Sequence, residues 1–144
     1  MFRRILVPID GTAGSERAVP YAIGLAQALE AEVVVCHIMT APVATKAAAE
    51  ERNSAQYVSR IAERFRVAGV AVKTLVRRGE PALEINTAAV DWNVDAIVMA
   101  TRSRQRLQKL MLGSVADVVV SASRLPVLLI SSRGKLKKPA DRAA

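Results

Sequence analysis

Gly113 and Ser114 stand at the head of the run SVADVVV, and the apolar run VDAIVMAT ends one loop earlier at Thr101. A helix that starts there leaves about four backbone N–H groups unpaired and carries roughly half a positive charge at its first turn. Such a start cradles phosphate, so an anion is the first ligand the chain suggests. Arg102, Arg104, Arg106 and Lys109 crowd the intervening loop with positive charge. Arginine grips phosphate oxygens through paired hydrogen bonds. The same side chains also read as a solvated basic surface, with Leu107, Leu110 and Met111 pinning the loop to the core; both readings stand.

Asp10 follows the apolar run ILVPI. It either meets a ligand or closes a turn by hydrogen-bonding its own backbone beside Gly11 and Thr12. Ser114, with Asp117 three positions on, reads as a helix cap whose hydroxyl faces the same open N–H groups as a phosphate. Cys36 and His37 are adjacent, so on a strand they point to opposite faces and cannot pair as nucleophile and base. His37 is expected in the core, as are Met39, Met99 and Met111. It is the only histidine, which excludes a histidine-based triad and any multi-histidine metal site. Glu80 and Glu84 have no partner that would give them an acid or base task and read as a solvated face. No enzymatic activity is expected.

These residues need elements to hold them. Strands are expected at Arg3 to Ile9, Glu32 to Met39, Val70 to Val76, Asp95 to Thr101 and Pro126 to Ile130. Between them the apolar spacing predicts helices at Ser15 to Leu29, with Pro20 kinking its first turns, at Thr45 to Ala68, and at Pro81 to Trp92. A fourth helix starts at Ser114, although Val118, Val119 and Val120 are poor helix formers. In the long second helix, Tyr57, Val58, Ile61, Ala62 and Phe65 share one side, and Gly69 ends it. Five strands alternating with four helices make an α/β domain, one parallel sheet covered on both faces by right-handed crossovers. Ligands in such sheets bind beyond the carboxyl ends of the strands, where the strand order reverses.

The chain has 144 residues, enough for one core. It is 51% hydrophobic but only 3% aromatic, as buried parallel strands and small-residue helices require. No apolar run approaches the roughly 18 residues that cross a bilayer. The start MFRRILVPIDG reads as a strand because Pro8 and Asp10 interrupt any leader pattern. The single Cys36 cannot form an internal disulfide, in keeping with a cytoplasmic protein. Of the net charge of +8, half comes from Arg133, Lys135, Lys137, Lys138 and Arg142 against Asp141. Residues 1–132 are therefore read as the domain and 133–144 as a basic disordered tail. With few aromatics for base stacking, nucleic-acid binding is not expected, and no membrane partner is expected either.

The spacing Ala100-x2-Ser103-x9-Gly113-Ser114 resembles the nucleotide loop of the universal stress protein family, G-x2-G-x9-G-[S/T]. ILVPIDG, VVVCHI, AIVMATRS, LGSVADVVV and LPVLLI also resemble the successive blocks of that family, in order, over residues 3 to 131. The resemblance implies a Rossmann-like five-stranded sheet of order 3-2-1-4-5, usually dimeric, in which many members bind ATP and others do not. It implies a small cytoplasmic regulatory module that binds ATP or a related adenine nucleotide at the carboxyl ends of strands 1 and 4. Mg²⁺ or Mn²⁺ would accompany the triphosphate. The cofactor-binding set so implied is Pro8, Asp10, Ile38, Ala100, Arg102, Ser103, Gly113, Ser114 and Val115. Asp10 would lie near the adenosine, the Ile38 backbone near adenine, Ala100 near the ribose, Ser103 near the phosphates, and Gly113 to Val115 at the phosphate turn.

Two of the motif's glycines are replaced. Ala100 adds a methyl group, which matters if the ribose lies against that Cα or if the backbone needs positive φ. Ser103 adds a hydroxyl that either donates to a phosphate or blocks close approach. The alternative is therefore a nucleotide-free dimeric adaptor of the same fold acting on protein partners. A homodimer is expected through the fifth strand, Pro126 to Ile130, whose apolar edge needs cover. An adenylylating enzyme of a related fold is the third reading; the chain lacks the extra segment and the base it would need.

Overall fold

The computed structural model describes residues 1–40, 44–101 and 114–131. The expected tail 133–144 and the loop with Arg102, Ser103 and Gly113 lie outside the described residues.

The Val, Ile and Leu runs form β1 (Arg4–Ile9), β2 (Glu32–Met39), β3 (Val72–Arg78), β4 (Ala96–Thr101) and β5 (Val127–Ser131). They pair in parallel in the order β3-β2-β1-β4-β5, with Pro8 opposite Cys36 and Ala100 opposite Ile130. The helices are α1 (Ala13–Glu16), α2 (Ala18–Leu29), α3 (Ala47–Val67), α4 (Pro81–Asp91) and α5 (Ser114–Ala122). Strand alternation splits the core in two. Ile5, Val7, Val33 and Val35 pack with Val19 and Ala22 of α2 and with Val58, Ile61 and Phe65 of α3. Leu6, Val34, Cys36, Ile97 and Met99 pack with Ile85 and Ala88 of α4 and with Ala116 and Val119 of α5. Each large apolar side chain so buried contributes about 1.5–3 kcal/mol. Among the described residues no helix is long and apolar enough to cross a membrane.

The expected first helix divides in two. Thr12 caps α1, its hydroxyl oxygen accepting from the Ser15 N–H at 3.1 Å. Pro20 has no N–H to give to the Glu16 carbonyl, so the ladder breaks after Glu16 and resumes as α2. The long helix begins later than expected, with a short 3-10 turn over Ala44–Lys46 ahead of α3. It ends as expected: Gly69 has φ +77°, and the Val70 N–H turns back to the Phe65 carbonyl at 2.9 Å. β3 lies two residues further on than expected, because its edge position lets Arg77 and Arg78 continue the ladder to Ile38 and Met39 while their side chains find acids. Glu80 is not a solvated bystander; it caps α4, accepting from Ala82 and Leu83 N–H at 3.2 and 2.7 Å. Glu84 is half-buried with Arg77 Nη1 at 3.8 Å. Of the run Val118, Val119 and Val120 in α5, only Val119 is buried; Val118 and Val120 are exposed.

Asp95 ties the starts of two central strands together. One of its oxygens, Oδ2, accepts from the Arg3 and Arg4 N–H groups at 2.7 and 2.9 Å. Those two bonds hold its carboxyl below the usual range. A depressed folded value means that its stabilisation is present at neutral pH and is lost as the carboxyl protonates below about pH 4. Asp95→Ala is expected to cost about 1 kcal/mol at pH 7, limited by solvent exposure. The difference from the parent should shrink as the pH is lowered below about 4, as read from urea midpoints along a pH series.

Candidate functional site

The chain reverses at the end of β1 through a closed set of hydrogen bonds. Asp10 Oδ1 accepts from the Thr12 N–H at 2.9 Å and from its hydroxyl at 2.6 Å. The Asp10 N–H donates to Ser15 Oγ at 3.1 Å, and that hydroxyl donates to the Thr12 carbonyl at 2.9 Å. Gly11 sits between them at φ +87°, a conformation that a side chain disfavours. Asp10 thus forms the turn, and it also faces the cleft beyond it.

That cleft has a volume of about 590 Å³ and opens at the carboxyl end of the sheet, between the tips of β1, β2 and β4 and the start of α5. A volume of this size suits a small-molecule ligand. Pro8, Asp10, Ile38, Ala100 and Val115, all expected at a site, line it together. Arg102, Ser103 and Gly113 lie outside the described residues, and so does the side chain of Ser114, whose backbone begins α5. Among the described residues no group of three or more His, Cys, Asp or Glu could hold a metal ion.

Sequence reasoning missed several cleft residues. His37 is not in the core; it is half-buried on the cleft wall, its Nδ1 2.9 Å from the Ile9 carbonyl oxygen. Met39 and Met99 are buried as expected but also reach the cleft. Ile85 and Ala116 arrive from α4 and α5, and Glu50, Asn53 and Ser54 from α3. None of these five positions carries a site signal of its own in the sequence. The place of His37 next to Ile38, near the carboxyl end of β2, was the one usable signal.

Tyr57 braces this wall. Its hydroxyl donates to Glu16 Oε2 at 3.0 Å, its ring meets the His37 ring edge-on at 5.7 Å, and Arg60 lies 5.6 Å from its centroid. Arg64 approaches Glu16 from the far side at 3.8 Å. Burial, reinforced by the Glu16 carboxylate, pushes the Tyr57 phenol up to about 12. Burial likewise pushes the Cys36 thiol, on the opposite face of β2, up to about 12. Both groups ionise more readily unfolded, so the folded state loses stability as pH rises from about 9 towards 12. Cys36→Ala is expected to flatten part of that alkaline slope and leave the Tyr57 part, in urea midpoints taken between about pH 8 and pH 11.

The wider family likeness agrees with this geometry. The sequence model of the universal stress protein family matches residues 1–131. The universal stress protein YxiE of Bacillus subtilis is 31% identical over 147 residues, covering 90% of this chain and 99% of that one. A universal stress protein of Thermus aquaticus is 33% identical, covering 90% and 99%. Among solved structures, that of a universal stress protein from Archaeoglobus fulgidus superposes with a TM-score of 0.74 at 26% identity, covering 90% of this chain and 98% of that one. The structure of the Archaeoglobus fulgidus protein in complex with dAMP gives a TM-score of 0.70 at 25% identity, covering 90% and 98%. With the family match spanning all five strands in the reversing order seen here, this chain belongs to the universal stress protein family.

Proposed function

We propose that the chain is a small regulatory module that binds an adenine nucleotide, ATP above all, in the cleft at the carboxyl ends of β1 and β4. The observation that carries the reading is the convergence on one cleft of the Asp10 turn, the apolar side chains of Pro8, Ile38, Met99 and Ile85, and the first turn of α5. The purine lies in the apolar part, Asp10 accepts from the sugar hydroxyls, and the open N–H groups of α5 take the phosphates. Ala100 stands at the sugar, and Arg102, Ser103, Gly113, Ser114 and Val115 complete the phosphate end. Mg²⁺ or Mn²⁺ comes with the triphosphate rather than from a protein cage. The dAMP complex of the Archaeoglobus fulgidus relative supports the choice of adenine.

ATP added to nucleotide-stripped protein is expected to raise its melting temperature by mass action, and GTP to raise it less. No rise at about millimolar ATP rejects the reading.

A second reading, the nucleotide-free adaptor, draws on the exposed apolar residues near the β5 edge. Leu128 is 45% exposed on a strand paired on one side only among the described residues, and Val118 and Val120 lie exposed on α5. Dimerisation through β5 covers that edge under either reading. A monomer in dilute solution by light scattering overturns this interface.

A further inference from the structure

Asp10 reaches the cleft from a chain reversal whose own bonds set its shape but not its place. The Asp10 carboxylate closes on Thr12, the Asp10 N–H donates to Ser15 Oγ, and that hydroxyl donates back to the Thr12 carbonyl. α1, which follows, is four residues long, too short for helical hydrogen bonding alone to fix it. Packing on β1 and β4 holds one side of this segment. Toward the β2 wall, the element that meets it is α3, through Tyr57.

The Tyr57 hydroxyl donates to Glu16 Oε2 at 3.0 Å, and the Gly11 N–H and the Ser15 hydroxyl lie near the same phenolic oxygen. Gly11, Ser15 and Glu16 thus converge on one atom of α3. Arg64 faces the other Glu16 oxygen, Oε1, at 3.8 Å, which leaves Oε2 to the phenol. The Tyr57 ring meets His37 edge-on at 5.7 Å, and His37 stands opposite Ile9 in the β1–β2 ladder. Asp10, Ser15, His37 and Ile38 line the cleft, whereas Tyr57 stands behind its wall. One stiff side chain therefore joins the turn that carries Asp10 to the strand that carries Ile38.

On the nucleotide reading, we propose that Tyr57 is a positioning residue that gives the cleft its preference for a ligand with free sugar hydroxyls. Through Glu16 its hydroxyl holds the Asp10 turn at the distance from β2 where the Asp10 carboxylate meets those hydroxyls. Hydrogen bonds to a carboxylate fail over a few tenths of an ångström. Purine burial and phosphate binding at α5 do not depend on this turn, so the effect of Tyr57 is confined to the sugar.

ATP and 2′,3′-dideoxy-ATP, which lacks both sugar hydroxyls, are titrated by calorimetry into the nucleotide-free full chain. The parent should hold ATP about tenfold more tightly, the value of one charge-assisted hydrogen bond. Tyr57→Phe keeps the ring against His37 and removes only the hydroxyl; it should weaken ATP about fivefold and leave the dideoxy compound unchanged. Glu16→Ala should act in the same way and supplies a second variant if the first is poorly folded. Glu16→Gln, whose amide oxygen still accepts from the phenol, should lose less. Equal weakening of both nucleotides in Tyr57→Phe means a structural role only and overturns the proposal. An ATP preference absent from the parent, or unchanged in Tyr57→Phe, overturns it too while leaving the nucleotide reading in place. Hydrogen exchange without ligand tests the brace by itself: in Tyr57→Phe the Asp10 and Ser15 amides should exchange about fivefold faster, with Val33 and Val34 of β2 at the parent's rate. Unchanged exchange in the turn overturns the brace, whereas failure of the parent to bind either nucleotide counts against the nucleotide reading.

Discussion

Replacing Ala100 by leucine is expected to abolish the rise in melting temperature that ATP produces, while the nucleotide-free protein melts within a few degrees of the parent. At a ligand concentration of about 100 times Kd, binding to the folded state stabilises it by about 2.7 kcal/mol, or roughly 5–10 °C for a domain of this size. Ala100 sits near the end of β4, paired with Ile130, and its side chain lines the cleft. Because it is only half-buried, the three added carbons extend into the space a sugar would take rather than into the closed core. Ala100→Gly, which restores the family's residue, is the counterpart: nucleotide affinity should hold or increase. Thermal shifts of both variants with and without ATP decide the matter. An unchanged ATP response in the leucine variant removes the ribose from Ala100 and with it the proposed orientation of the ligand.

Phe65→Ala carries the largest expected cost in stability, about 3–5 kcal/mol. Phe65 is 0% exposed and lies where α3 meets the sheet, packed in the cluster with Ile61, Val58 and Val70. Truncation leaves a cavity that the surrounding strands cannot close, since both β2 and β3 are held in parallel ladders on that side. A loss of this size is a large fraction of the roughly 5–15 kcal/mol that holds a domain folded. Phe65→Leu keeps most of the volume and should cost about 1 kcal/mol. Urea unfolding of the two variants checks the pair: a small shift of the alanine midpoint means that α3 relaxes onto the sheet. The same experiment bears on the cleft, because Glu50, Asn53 and Ser54 reach it from the start of this helix.

The strands and the helix that covers each connection were legible because they follow from periodicity and from short-range signals, whereas the strand order came from the family resemblance. Buried parallel strands read as unbroken Val and Ile runs, and β2 was expected over the residues it occupies. Thr12, Glu80 and Gly69 show how local the punctuation is, each acting on N–H groups or carbonyls within a few residues. The misplacement of β3 has the opposite origin. Arg77 and Arg78 carry no strand signal of their own; they extend the strand only because β2 offers a ladder and Asp91, Glu84, Glu50 and Glu51 offer charge. Likewise the break at Arg17 turns on a hydrogen bond that Pro20 cannot donate, a local fact whose result is two helices rather than one bent helix.

By itself the sequence determined the family and the parallel α/β architecture, and the family resemblance implied Pro8, Asp10, Ile38, Ala100 and Val115, which line one cleft at strand ends and at a helix start. Only the tertiary structure decided the rest of its lining. His37 was a core histidine by alternation and became a cleft wall because Ile9 accepts its Nδ1 and Tyr57 meets its ring edge-on. Glu50, Asn53 and Ser54 reach the cleft because α3 packs on β2 and β3. Spacing along a chain sets which residues share a face, but which faces meet across a cleft is set by long-range packing, and no local period records it.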